Sequence, residues 1–185
     1  AQMFAPDEYF VNEYAKIIRQ HSDGDTDETQ ELLASYVEQN LIPSQGRRHR
    51  TLLLIFQGAD PCRKLSEICG PIHPERRSLE SLTGESIRDT YADLIIENDG
   101  SDNVNYFEPA VLTPRLQETA DLHMKLFANW LTDEATIVEN IIYPSSSNIE
   151  RSLVIIKPDN WRYASSKPGT IIDMFSRTGL RIIGV

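Results

Sequence analysis

The chain has 185 residues, 40% of them hydrophobic and 25% charged, with a mean hydropathy of -0.37, a balance that belongs to folded globular domains and argues against disordered, collagen-like and membrane-spanning classes. Lys and Arg number 18 against 28 Asp and Glu, a net charge of -10, which disfavours nucleic-acid binding because attraction to a phosphate backbone needs cationic surface. No apolar run approaches the roughly 20 residues of a bilayer-crossing helix, and the first residues predict no export signal, so a cytoplasmic chain with no membrane partner is expected.

Residues 6–19 predict a helix, because Tyr9, Phe10, Tyr14, Ile17 and Ile18 recur at helical spacing behind the acidic Asp7 and Glu8. Thr26 caps a second helix that carries Leu32, Leu33, Tyr36, Val37 and Leu41. Between them, Asp23, Asp25 and Asp27 imitate the start of a calcium loop. Glu28 occupies the position of its sharp-turn glycine and Ala34 that of its bidentate glutamate, so a solvated acidic loop is expected.

Residues 51–56 form a continuous apolar run of strand length, expected to be buried on both faces. The preceding basic run, Arg47, Arg48, His49 and Arg50, reads as edge-protecting charge, with anion binding as the alternative. Asp60, Pro61 and Gly70 then frame a short helix. It holds both cysteines, Cys62 and Cys69, whose helical separation of about 10 Å is beyond disulfide reach. Reduced thiols fit the cytoplasm.

Residues 71–90 lack a sustained period and predict a long loop. Asn98-Asp99-Gly100 between the apolar runs 92–96 and 104–112 predicts a hairpin. Thr113 and Pro114 open a helix with Leu116, Ala120, Met124, Phe127 and Leu131 on one face, and His123 at the edge of that stripe reads as a packing residue. Residues 143–150 read as a linker. A strand over 152–156, a helix over 168–178 ended by Gly179 and a strand over 180–185 make a βαβ unit, while residues 1–4 begin as though in mid-strand.

Residues 150–159, Glu-Arg-Ser-Leu-Val-Ile-Ile-Lys-Pro-Asp, together with the βαβ unit they open, resemble the first strand and lysine-proline-aspartate turn of nucleoside diphosphate kinases. Residues 1–20 resemble the next segment of that family, so Val185 followed by Ala1 reads as continuous family sequence. Residues 54–74 resemble its third strand, helix and glycine-proline loop, and residues 84–88 the loop carrying its arginine. The resemblance is most specific at residues 157–159 and 58–74.

What the resemblance implies is an α+β fold, a ferredoxin-like antiparallel sheet with helices, completed by the C-terminal βαβ unit. Residues 1–142 would be a nucleoside diphosphate kinase-like domain lacking its first βαβ, 143–150 a linker and 151–185 that first unit. Residues 51–56, 152–156 and 180–185 would share one sheet. Either a single permuted domain or a stretch of a tandem array accounts for the order, and completion within the chain or by exchange with a second copy implies a homo-oligomer.

Enzymes of this family pass a γ-phosphate through a phosphohistidine, with Mg2+ carried by the nucleotide and cations around the transferred group. By the resemblance, Lys157, Arg88 and Tyr14 belong to the nucleotide-phosphate site. Asp99 stands before Gly100-Ser101-Asp102, where the nucleophilic histidine belongs, and His73 lies beside the expected phosphate position. Asp99 and His73 are therefore the candidate nucleophiles, each with an ordinary turn role as the alternative. Ser66, Ile72 and Ile96 stand where an arginine, a threonine and an asparagine are expected.

The sequence thus implies a protein that binds nucleoside di- or triphosphates with phosphotransfer lost or weak. The alternative is an active kinase working through an atypical nucleophile, with Mg2+ entering on the nucleotide. No other cofactor or metal site is implied. An RNA-binding ferredoxin-like module would need exposed aromatics among basic residues, against which the acidic balance and the aliphatic 51–56 run both argue.

Overall fold

The computed structural model describes residues 1–72, 85–96, 104–131, 150, 152–157, 165–180 and 182–185. These are mixed α+β, with six helices and two small antiparallel sheets of two strands each. In chain order the elements are β1 (Gln2–Phe4), α1 (Glu8–Gln20), α2 (Asp27–Asn40), β2 (Thr51–Leu53), α3 (Pro61–Cys69), α4 (Ile87–Tyr91), β3 (Asp93–Ile96), β4 (Val104–Glu108), α5 (Gln117–Leu131) and α6 (Lys167–Ser176).

Helix α1 starts where the Asp7 carboxylate accepts the Phe10 N–H at 2.8 Å, and Glu8 and Arg19 lie at the ends that suit the helix dipole. Its buried face is Phe10, Val11, Tyr14, Ala15 and Ile18. Tyr9, expected among the inward residues, is 69% exposed, because the stripe turns toward Val11 and Ala15, whose smaller side chains let α2 approach. Thr26 caps α2 as expected, its hydroxyl accepting the Thr29 N–H at 3.3 Å.

Phe4 carries β1 into the core that these helices build. Its ring meets Phe10 at 5.7 Å, Phe127 at 5.3 Å and Trp130 at 5.7 Å between centroids, all edge to face, the arrangement that aromatic quadrupoles favour. This cluster sets the rotation of α5. Leu116 and Met124, expected on its buried face, are exposed, whereas Leu126 and Trp130 pack inward with Phe127 and Leu131.

The 51–56 run departs from its expectation. Only Thr51–Leu53 is strand, paired antiparallel with β1 in the register Gln2↔Leu53, Met3↔Leu52 and Phe4↔Thr51. Leu52, Leu54, Ile55 and Phe56 are all exposed. Apolar content signals that a strand can be buried, but a second layer must supply the burial, and the described residues place none over these side chains. Among the described residues this sheet has only β1 and β2, although Gly184 in the C-terminal stretch makes a β-bridge. Residues 152–157 have no regular secondary structure, and the helix of the C-terminal unit runs over Lys167–Ser176. The C-terminal segment does reach β2's neighbourhood, where the Arg50 guanidinium donates to the Ile182 carbonyl at 2.9 Å.

The predicted hairpin is present as β3 and β4, antiparallel, with a bulge after Ile95. Its turn lies outside the described residues. Strand β4 stops at Glu108, short of the expected residue 112, because Pro109 follows and the Glu108 carboxylate turns back to accept the Ala110 N–H at 2.9 Å. Tyr36 of α2 holds the hairpin, donating to Glu108 at 2.8 Å and packing edge to face on Phe107.

Helix α3 has its expected bounds and two free, buried cysteines. Asp60, however, does not cap it. Its backbone is left-handed, and its carboxylate takes Arg63 at 2.5 Å. The stretch 71–90, expected to be loop throughout, contains the short helix α4, started by the Ser86 hydroxyl accepting the Asp89 N–H at 3.2 Å. Five residues are too few for a helical period to show in the sequence. Residues 132–149, which include most of the expected linker, lie outside the described residues. Among the described residues no helix is long and apolar enough to cross a membrane.

Candidate functional site

Tyr14 from α1, Ile72 from the loop after α3, Arg88 from α4 and His123 from α5 line one partly open cavity of about 40 Å³, completed by His21, Asp23, Asp25 and Gln30 and by Leu112, Thr113 and Pro114. Tyr14 and Arg88, two of the three phosphate-site residues implied by the resemblance, are thus brought together beside Ile72, which stands where that site has a threonine. Lys157, the third, is exposed on the 152–157 segment and does not line the cavity. His73 and Asp99, the candidate nucleophiles, lie outside the described residues.

Arg88 is 5% exposed. Its guanidinium donates to the Gly70 carbonyl through one terminal nitrogen and to the Val111 carbonyl, at 3.0 Å, through the other. It therefore ties the end of α3 to the irregular segment leading into α5. Its Nε is buried with no hydrogen-bond partner among the described residues, and burial makes its charge harder to hold.

Tyr14 and His123 are stacked edge to face, centroids 4.9 Å apart. Burial, reinforced by the nearby Asp23 carboxylate, raises the Tyr14 hydroxyl well above the ordinary phenol range. Burial, with His21 adding repulsion, pushes His123 down to about 4, so the ring is neutral near pH 7. The reading of His123 as a packing residue accounts for its ring contacts. It misses that Nε2 is buried without a partner among the described residues.

The acidic loop is not simply solvated. Asp23 accepts the backbone N–H groups of Arg115, at 2.5 Å, and Leu116, at 2.8 Å. Asp25 pairs with the Arg115 guanidinium at 2.8 Å and its side chain is only 7% exposed. The pair caps the approach to α5, which begins at Gln117 and not at Thr113 or Pro114 as expected. A carboxylate supplied from a distant loop thus holds the two backbone N–H groups just ahead of the helix, near the positive end of its dipole.

The other positions at which the resemblance implies a different residue differ in their surroundings. Ser66, in place of an arginine, has its hydroxyl buried without a partner among the described residues. Ile96 ends β3. No group of three or more His, Cys, Asp or Glu among the described residues is placed to hold a metal ion. Asp23, Asp25 and His123 are the site residues that sequence reasoning undervalued. The alternating aspartates were the visible signal, but their partner lay too far along the chain to be seen.

Comparison with protein families, with curated proteins and with solved structures finds no match to this chain.

Proposed function

We propose that this chain is a nucleoside diphosphate kinase-like protein that binds nucleotide phosphates and has lost most or all phosphoryl transfer. One observation carries the reading: Tyr14, Ile72 and Arg88, from three separate stretches of sequence, line a single cavity. The same geometry supports the loss of transfer. Ile72 offers no hydroxyl, and Arg88 directs both terminal nitrogens at protein carbonyls, so two donors that could stabilise transition-state charge are missing, each worth several kcal/mol where such donors act. Lys157 is exposed, and attraction to phosphate needs less geometric control than transfer does.

The reading extends to the fold. A ferredoxin-like sheet would extend β1 and β2 with the C-terminal unit, from the same chain or from a second copy, giving a homo-oligomer. Support comes from the exposed Leu54, Ile55 and Phe56 on one side and the exposed Leu153, Val154 and Ile155 on the other, and from the marginal stability of a two-stranded sheet alone. Cytoplasmic residence belongs to the same proposal, supported by the two free buried thiols.

Incubation with a γ-labelled nucleoside triphosphate and Mg2+ tests the chemistry, and no labelled protein is expected. Base-stable label that disappears in His73→Ala overturns the loss of transfer and makes His73 the nucleophile. Base-labile label that disappears in Asp99→Asn establishes the alternative, an aspartyl phosphate. Calorimetric titration of the triphosphate should show weak binding that Lys157→Ala weakens further, and equal affinity in the two proteins removes Lys157 from the site. Light scattering on the eluting protein should report more than one copy per particle.

A further inference from the structure

We propose that Arg115 is a further phosphate-binding residue of the cavity between α1, α4 and α5, and that the Asp25 carboxylate holds the place a nucleotide phosphate takes when it binds there. The proposal rests on the nucleotide reading given above and names the group that keeps such binding weak.

A phosphate site needs N–H donors as well as positive charge. Arg88 supplies charge, but its two terminal nitrogens already donate to the carbonyls of Gly70 and Val111. Arg115 is placed to supply the donors. Its guanidinium meets the Asp25 carboxylate at 2.8 Å, and Asp25 lines the cavity together with Arg88. The Arg115 side chain is 44% exposed, so it can turn to a ligand arriving from solvent. Its planar fork of donors fits phosphate as it fits carboxylate.

Asp25 behaves as an internal anion. His21, Ser22, Gly24 and Thr26 around it are exposed, whereas the Asp25 side chain is turned in until only 7% of it is exposed. A carboxylate is taken that far out of water only against positive charge. Burial is the main influence on the Arg88 charge; beyond it and Cys69, Asp25 steadies that charge and Arg115 opposes it. One anion therefore serves two cations that repel each other, as a bound phosphate would. Asp25 and a phosphate cannot both hold Arg115, so the apparent affinity falls with the share of molecules in which Asp25 holds it. Asp23 stays out of the exchange. It accepts the backbone N–H groups of Arg115 and Leu116, which anchors the loop while the Asp25 side chain turns away.

Calorimetric titration of the full chain with ATP and Mg2+ tests the exchange. Asp25→Asn keeps the shape and removes the charge, and should bind about fivefold tighter than wild type or better, as loss of an internal competitor requires. Asp27→Asn makes the same charge change on an exposed residue outside the cavity and should leave the affinity unchanged. Adding Arg115→Gln to Asp25→Asn should abolish the gain. Binding by Asp25→Asn no tighter than wild type overturns the proposal and leaves nucleotide binding standing. Equal tightening in Asp27→Asn, or a double variant as tight as Asp25→Asn, overturns it too. Absence of binding in every protein overturns the nucleotide reading and this proposal with it. NMR of the nitrogen-15-labelled wild-type chain needs no variant to fold: saturating ATP with Mg2+ should shift the Arg115 Nε–H signal, and an unmoved signal overturns the role of Arg115.

Discussion

Arg115 and Asp25, 90 residues apart, meet at 2.8 Å with the carboxylate almost fully buried. Next to them Asp23 accepts two backbone N–H groups from the start of the same turn. An acidic loop between α1 and α2 therefore holds the turn that leads into α5.

Asp23→Ala should release that turn and lower stability by about 1–2 kcal/mol, since hydrogen bonds to a charged group contribute about 1.5–3 kcal/mol and these are partly exposed. Asp23→Asn, which keeps one acceptor, should lose less. Urea denaturation with equal slopes for all three proteins is the measurement. Equal midpoints for Asp23→Ala and wild type would show that the turn is held by other contacts.

Gly70 ends α3 at φ 80 and ψ 173, backbone that residues with a side chain scarcely adopt. A Cβ there would also collide with the Ser86 side chain, approaching its Cβ to 2.7 Å. Gly70→Ala should cost at least the roughly 1–3 kcal/mol of such strain, and it should displace the carbonyl that Arg88 holds. Thermal unfolding followed by circular dichroism will show it, and an unchanged midpoint would refute the strain.

His123 should make stability depend on pH. Its folded value, about 4, lies below its ordinary 6.5, so between these the unfolded chain binds more protons than the folded one, and stability falls as pH drops through that window. The shift corresponds to as much as about 3 kcal/mol between neutral and acidic limits. His123→Phe should flatten the slope between pH 6.5 and 4. A slope equal to wild type would assign the acid sensitivity to other groups.

Arg19 donates to Glu31 and Glu38 together, with 2.8 Å contacts to both, and holds Glu31 down at about 2 from an ordinary 4.5. A depressed carboxylate contributes stability above 4.5 that disappears as pH falls toward 2. Because the carboxylates are solvent-exposed, the contribution should stay within about 1 kcal/mol and shrink in high salt. Arg19→Met should be less stable than wild type at neutral pH, with the gap closing in acid. A gap independent of pH would mean the loss comes from packing of the arginine stem.

Local signals determined much of this architecture. Thr26 placed one helix start, the spacing of Phe10, Tyr14 and Ile18 placed the first helix though two residues early at its start, Pro61 and Gly70 bracketed a third helix, and the apolar runs around Asn98-Asp99-Gly100 placed a hairpin, because caps, turns and periodicity act over a few residues. Of the cavity's lining, the resemblance had singled out Tyr14 and Arg88, and the structure places the two beside each other without testing the role it implied. Tertiary structure decided the rest. Which face of α5 is buried followed from Trp130 finding Phe4 and Phe10, and the role of Asp23 and Asp25 followed from a partner 90 residues away. The apolar 51–56 run could state that it tolerates burial but not whether a layer would cover it. Its exposed Leu54, Ile55 and Phe56 mark where local composition stops and long-range packing, which no short window contains, takes over.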